Sequence, residues 1–109
     1  MWQKAMVWTE NVYLATRLFP NDERFGLTSQ LQRSAVSVPS NIAEGWGRNT
    51  KPEYRQFLRY ARGSLFEAQT QAELASRLGY ITPETCKALQ DAGDEISRML
   101  LGLTRSQTP

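Results

Sequence analysis

The chain contains no histidine among its 109 residues and only one cysteine, Cys86. Without histidine there is no Ser–His or Cys–His pair, no imidazole metal ligand and no side chain that titrates near neutral pH without a large pKa shift. A single cysteine excludes an internal disulfide, and its position on an apolar helical stripe favours a buried thiol. We therefore expect no catalytic residues, no metal, no cofactor and no small-molecule substrate.

Long hydrophobic runs are also absent, and the N-terminal stretch MWQKAMVWTEN lacks a basic segment followed by a hydrophobic block. A membrane span needs about 20 apolar residues, and a secretory signal needs such a block. These absences predict a cytoplasmic protein that does not enter a membrane. The length suits one domain, which we place at residues 1–105, followed by a polar tail at residues 106–109.

Four segments instead show apolar residues at alternating spacings of three and four, which is the period of a helix with one buried face. None shows the two-residue alternation of a strand. The sequence therefore predicts an all-α fold, an antiparallel up-down-up-down four-helix bundle. The four stripes, in chain order, are Ala5, Trp8, Val12, Ala15 and Phe19; Leu27, Leu31, Ala35, Val38 and Ile42; Tyr54, Leu58, Ala61, Leu65, Ala68, Ala72 and Ala75; and Cys86, Leu89, Gly93, Ile96, Leu100 and Leu103.

Turn and capping residues predict where the helices begin and end. Pro20 should end the first helix, and a glycine in left-handed geometry within residues 45–47 should end the second. Thr50 with Glu53 fits a capping box for the third helix, which residues 79–80 should close. A threonine followed by proline should start the fourth helix at residues 82–83.

The segment SVPSNIAEGWGR, residues 37–48, is polar and rich in helix breakers. We expect Pro39 to bend or interrupt the second helix, and nearby polar side chains to satisfy the backbone that it disturbs. If Glu44 points inward it needs a partner, and an arginine of the third helix is the expected one. A catalytic role for Glu44 as a general base lacks a second acid or an oxyanion loop. The predicted structural motif comprises Ser37, Pro39, Ser40, Asn41, Glu44 and Gly45.

Some apolar residues fall outside the four stripes. Leu74 and Leu78 lie one turn apart on the third helix, which favours a subunit interface over isolated exposed residues. The residues concerned include Trp2, Met6, Leu14, Phe57, Phe66, Leu74 and Leu78.

Charge is unevenly distributed along the chain although the total is only +2. Residues 45–66 hold five basic residues and one acid, a net charge of +4, whereas residues 67–95 hold two basic residues and six acids, a net charge of −4. Clustered cations near Trp46 and Tyr60 are typical of nucleic-acid binding. The alternative is a protein-interaction scaffold, in which the basic stripe pairs with acids of a neighbouring subunit or another protein. The candidate nucleic-acid-binding residues are Arg48, Lys51, Arg55, Arg59 and Arg62.

The run FGLTSQLQRSAVSVPSNIAEGWGRNTKPEYRQFLRYARGS, residues 25–64, strongly resembles the bacterial four-helix bundle protein family. That family includes proteins encoded in intervening sequences of large-subunit ribosomal RNA genes and the accessory variability determinant of diversity-generating retroelements. The resemblance implies a barrel-shaped homopentamer without known catalytic activity, whose basic surface is proposed to contact RNA or DNA. Five motif positions match the family without revealing their role, and three more match its basic positions. These are Ser37, Pro39, Asn41, Glu44 and Gly45, and Arg33, Arg48 and Arg59.

Overall fold

The computed structural model describes residues 1–107 and contains four α-helices, with no strand among the described residues. A short 3-10 turn, Asn21–Glu23, joins the first two helices, and the Cα principal-axis extents are 46 × 24 × 19 Å. The predicted all-α class with four helices is confirmed. The helices are α1 (Trp2–Thr16), α2 (Leu27–Trp46), α3 (Lys51–Arg77) and α4 (Pro83–Ser106).

The core lies along the four predicted stripes, because each helix turns its apolar face inward. Every stripe residue is buried except Tyr54 and Leu103, which are half-buried against the core. Cys86 is buried as predicted. On α3 the second half of the buried stripe is entirely alanine, at Ala68, Ala72 and Ala75.

The predicted caps of α3 and α4 are present. Thr50 Oγ1 accepts a hydrogen bond from Glu53 N at 3.3 Å, which is the first contact of the predicted box, and Glu53 Oε1 accepts from the Thr50 hydroxyl rather than from the Thr50 backbone N–H. Thr82 Oγ1 accepts from Thr85 N in the same way at the start of α4. After α3, Gly79 adopts a φ of 80°, and Tyr80 N donates to Ala75 O. These contacts form a Schellman motif, as glycine at this position favours.

Three predicted ends differ from the structure. The first helix ends at Thr16, before the turn at residues 17–19, rather than at Pro20. Gly47 follows α2 with a φ of −77°, so the predicted left-handed glycine is wrong there, and Gly79 is the glycine with positive φ among the described residues. At the other end of the chain, Ser106 is the last residue of α4 rather than part of the polar tail. The tail residues Thr108 and Pro109 lie outside the described residues.

A glutamate that the sequence analysis did not select connects three elements. Glu23 Oε1 accepts from Leu27 N at the start of α2, and Glu23 Oε2 accepts from the Tyr80 hydroxyl at 2.8 Å. Both hydrogen bonds stabilise the ionised carboxylate and lower the pKa of Glu23, and the hydrogen bond from Tyr80 has the larger effect. A Cβ on Gly26 would lie 2.7 Å from Glu23 Oε1, so glycine leaves room for this cap.

No helix within residues 1–107 combines the length and the apolar character needed to cross a membrane. In the same range, no three histidine, cysteine, aspartate or glutamate side chains are grouped closely enough to hold a metal ion.

Candidate nucleic-acid interface

Pro39 does not interrupt α2, which runs unbroken from Leu27–Trp46 with the proline buried inside it. Proline has no backbone N–H, so the carbonyl of Ala35 loses its helical donor. The hydroxyl of Thr9 on α1 lies 3.2 Å from Ala35 O and 2.8 Å from Ala5 O, and its single hydrogen serves these two carbonyls. A neighbouring helix therefore supplies the polar group for the carbonyl that the proline leaves without a partner.

The nearby polar side chains contribute less than the sequence predicted. Asn41 Nδ2 donates to Ser37 O at 2.7 Å, so it hydrogen-bonds to nearby backbone, but not to Ala35 O, the carbonyl that the proline leaves without a donor. Ser40 is exposed, and neither its hydroxyl nor that of Ser37 forms a hydrogen bond with any residue in 1–107. The prediction that the serines of this motif satisfy the disturbed backbone is therefore wrong, because Thr9 reaches the free carbonyl from α1.

Glu44 is exposed rather than turned inward, and its partner is not on α3. Its side chain is 54% exposed, and Glu44 Oε1 accepts from Arg48 Nη2 at 3.1 Å, one helical turn further along the chain. The predicted pairing with an arginine of the third helix is therefore wrong. An ion pair this exposed contributes little to stability.

The residue of the motif that brings α2 and α3 together is Gly45. A Cβ built at this position would lie 2.7 Å from Phe57 Cβ and 3.1 Å from Tyr54 Cδ1. Any side chain would force the two helices apart, since Cβ atoms do not approach so closely. The close approach places the start of α3, with its basic residues, directly against the end of α2.

Three of the five candidate cations are held by neighbours. Arg48 pairs with Glu44, lies 3.8 Å from Glu53 Oε2, and its guanidinium sits over the Phe57 ring at 4.8 Å from the centroid. Arg55 Nη1 donates to Gln107 O beyond the end of α4 at 3.0 Å. The guanidinium thus meets the negative end of that helix dipole.

Arg62 is the third cation that a neighbour holds. Its Nε donates to Ser97 Oγ on α4 at 3.3 Å, and its guanidinium lies over the Phe66 ring. Neither Arg55 nor Arg62 forms an ion pair with a carboxylate among residues 1–107.

The remaining two candidates, Lys51 and Arg59, are exposed. Neither forms a hydrogen bond or an ion pair with a residue of the described part of the chain. Lys51 is also the first residue of α3, where the helix dipole is already positive. Tyr60 beside them is half-exposed and packs edge-on against Phe57.

Contacts between the helices show which charges share an end of the molecule. The start of α3 lies near the end of α2, through Gly45, and near the end of α4, through Arg55. Residues 1–8, 38–66 and 95–107 together carry eight basic and three acidic residues, a net charge of +5. Residues 9–37 and 67–94 carry five basic and eight acidic residues, a net charge of −3. We call these two sets the basic end and the acidic end.

A family model described as 23S rRNA-intervening sequence protein matches residues 1–102. The chain belongs to that family. A crystal structure of a protein of unknown function from the S23 ribosomal protein family of Bacteroides thetaiotaomicron VPI-5482 is similar in fold, with a TM-score of 0.87. It is 22% identical, and the match covers 94% of this chain and 96% of that one. No curated protein sequence is significantly similar to this chain.

Sequence reasoning missed two exposed cations that this member of the intervening-sequence family carries at its basic end. Arg98 and Arg105 are exposed residues of α4, which packs against the face of α3 that carries Arg55 and Arg62. The contacts of Arg62 with Ser97 and of Arg55 with Gln107 show this packing. They are far from residues 48–62 in the chain, and only the packing of α4 on α3 brings the two groups together. Their helical positions carried no signal that distinguished them from an ordinary solvated face.

Most of the apolar residues predicted to form a subunit interface are exposed, including the pair on α3. Leu74 and Leu78 are about half-exposed, as are Trp2 and Leu14 on α1. Phe57 is instead half-buried between Arg48 and Tyr60. The subunit interface itself stays a prediction.

Proposed function

We propose that this protein is a non-enzymatic, cytoplasmic, homo-oligomeric bundle. Its basic end binds structured RNA or DNA by contacting the phosphates of the nucleic acid. The observation that carries the proposal is the state of Lys51 and Arg59. Both are exposed and form no ion pair within residues 1–107, beside Arg55 and Arg62, which no carboxylate in that range neutralises. Such cations remain available for phosphate oxygens.

The position of Lys51 supports this proposal. A cation at the first residue of a helix faces the positive end of the dipole, which disfavours it by a few tenths of a kcal/mol or more. Lys51 makes no compensating contact with the described residues. An anionic partner would remove this repulsion, because it would interact favourably with both the lysine and the helix terminus.

The family description adds support, since its members are named for sequences that interrupt 23S rRNA.

A bundle with alternating helix directions fits the observed contacts. Gly45 near the end of α2 meets Phe57 near the start of α3, and Ser34 further back on α2 contacts Glu67 further along α3. We include assembly into a ring of five copies, for which the exposed leucines at positions 74 and 78 offer apolar surface.

The test is fluorescence anisotropy with a labelled RNA hairpin at salt concentrations from about 50 to about 200 mM. The variant Lys51→Glu with Arg59→Glu should bind much more weakly at every salt concentration. Its log–log salt slope should be shallower by about one for each phosphate contact that is lost. The matched control, Arg17→Glu with Arg24→Glu, makes the same charge change with exposed residues of the acidic end and should bind like the parent.

Absence of binding at low salt, or binding that neither salt nor the basic-end variant alters, would overturn the proposal. Light scattering distinguishes the alternative scaffold function. If the parent is oligomeric, binds no nucleic acid, and dissociates when Lys51 and Arg59 are reversed, the basic stripe pairs with acids of a neighbouring copy.

A further inference from the structure

An apolar cleft opens at the basic end, where the first residues of α1 meet the ends of α2 and α4 and the start of α3. Its volume is about 640 Å³, within the range of roughly 300–1,000 Å³ that is usual for ligand pockets. No side chain that lines it is charged. The residues that shape it are Met1, Trp2, Ile42, Trp46, Tyr54 and Leu103.

Trp46 is the most exposed large side chain of this cleft. It is the last residue of α2 and is 78% exposed, so most of the indole surface faces solvent. The Tyr54 ring packs against it nearly at right angles, with the ring centroids 5.9 Å apart. Tyr54 comes from the first turn of α3, so two helices hold the aromatic pair in a defined orientation.

Trp46 and Tyr54 also line a second, smaller cleft. It has a volume of about 190 Å³, and Arg48, Asn49 and Lys51 contribute polar groups to it. The aromatic pair therefore borders both an apolar cleft and a basic one. The nearby carboxylates of Glu44 and Glu53 contact Arg48, whereas Lys51 has no ion-pair partner among residues 1–107.

We propose that Trp46 and Tyr54 form a stacking site for one unpaired nucleobase, with the adjoining phosphate held by Lys51. The inference rests on the proposed function and names the part of the nucleic acid that is recognised. A nucleotide has the two properties that the two clefts match, a flat apolar base and an anionic phosphate. Aromatic rings beside cations are the combination that binds unpaired bases without requiring a particular sequence.

The chemistry of the clefts also argues for this occupant over a second copy of the chain. The core of a protein interface is depleted of charged groups. Here a lysine with no ion-pair partner among residues 1–107 adjoins the aromatic pair, and the surrounding end of the molecule has a net charge of +5. An anionic ligand complements that charge, whereas another basic end would be repelled by it.

The experiment compares an RNA duplex with the same duplex carrying one bulged adenosine, by anisotropy at constant low salt. The Trp46→Ala variant should lose about 5- to 160-fold in affinity for the bulged RNA, the equivalent of about 1–3 kcal/mol of stacking, and bind the paired duplex unchanged. Trp46→Phe keeps a ring and should retain most of the affinity. The control Phe25→Ala removes an even more exposed ring from the acidic end and should have no effect.

Each other outcome has a distinct meaning. If the parent binds neither RNA, the proposed function fails. If the parent and Trp46→Ala bind both RNAs equally well, nucleic-acid binding stands and the stacking site is overturned. If Trp46→Ala changes the oligomeric state in light scattering without RNA, a second copy occupies the cleft, and the proposal is overturned in that case too.

Discussion

The contact between α2 and α3 is built differently at its two ends. At the basic end, Gly45 lets the helices approach so closely that a methyl group at this position would lie 2.7 Å from Phe57 Cβ. At the acidic end, the buried Ser34 Oγ lies 2.6 Å from Glu67 Oε1 and 2.9 Å from Gln71 Oε1. Among residues 1–107, Ser34 is the residue of α2 whose side chain hydrogen-bonds to α3.

This difference shows how one helix pair can serve two purposes. Where shape holds the helices together, the charged side chains nearby are not needed for packing, and Lys51 and Arg59 remain exposed. Where polar groups hold them, a carboxylate of α3, that of Glu67, hydrogen-bonds to α2. The cations with the greatest freedom therefore lie at the end that packs by close approach.

Among the substitutions that test this difference between the two ends, Gly45→Ala should have the largest effect on the free energy of unfolding. Overpacking costs about 1–3 kcal/mol, and the better helix propensity of alanine returns about 1 kcal/mol, so a net loss of up to about 2 kcal/mol is expected. Urea unfolding followed by circular dichroism measures it.

Gly102→Ala is the matched control for Gly45→Ala. Gly102 is an exposed glycine of α4 with no atom within 4 Å of an added Cβ, so alanine should stabilise the protein by about 0.5–1 kcal/mol. Equal effects of the two substitutions would show that α2 and α3 are not held by close approach at Gly45.

A smaller effect is expected at the other end of the same interface. Ser34→Ala removes the hydroxyl that contacts Glu67 and should lower the free energy of unfolding by about 1 kcal/mol. Ser40→Ala changes an exposed serine of the same helix and should be nearly neutral. If Ser34→Ala is also neutral, the contact between Ser34 and Glu67 does not stabilise the acidic end. The two ends of the α2–α3 contact would then not differ in this respect.

The smallest effect should be the pH dependence of the Glu23–Tyr80 contact at the acidic end. The shared hydrogen bond lowers the pKa of Glu23 from 4.5 and raises the pKa of Tyr80 from 10.0. A lowered carboxyl pKa stabilises the fold above pH 4.5, and this contribution is lost as the pH falls below that value. A raised tyrosine pKa stabilises below pH 10.0, and this contribution is lost as the pH rises above it.

Tyr80→Phe should therefore lower the urea midpoint between these two pH values, with a smaller difference from the parent at either extreme. The ring contact with Phe19, at 5.5 Å between centroids, is retained by phenylalanine. Tyr13→Phe is the matched control, because it removes the hydroxyl of an exposed tyrosine of α1, and that hydroxyl hydrogen-bonds to no residue in 1–107. A pH-independent difference for Tyr80→Phe would mean that the hydroxyl does not act through Glu23.

Local patterns made much of the fold predictable. The 3/4 spacing on α3 identified its buried face. Thr50 with Glu53 identified the start of α3, and threonine followed by proline identified the start of α4, because these signals involve residues close in the chain. The partners of the motif at residues 37–48 were not predictable. Thr9 donates to the carbonyl of Ala35, 26 residues further along the chain, which Pro39 leaves without a helical donor. In the same way, Ser34 contacts the carboxylate of Glu67, 33 residues further along the chain.

The sequence by itself determined the four helices and which face of each is buried, since helical periodicity and capping depend on near neighbours. It also determined the charge of each segment. Only the tertiary structure decided which charges share an end of the molecule, that Glu44 turns outward, and that Trp46 and Tyr54 meet beside Lys51. Those outcomes depend on how closely whole helices approach one another, and that distance is set by side-chain volume at contacts such as Gly45 against Phe57.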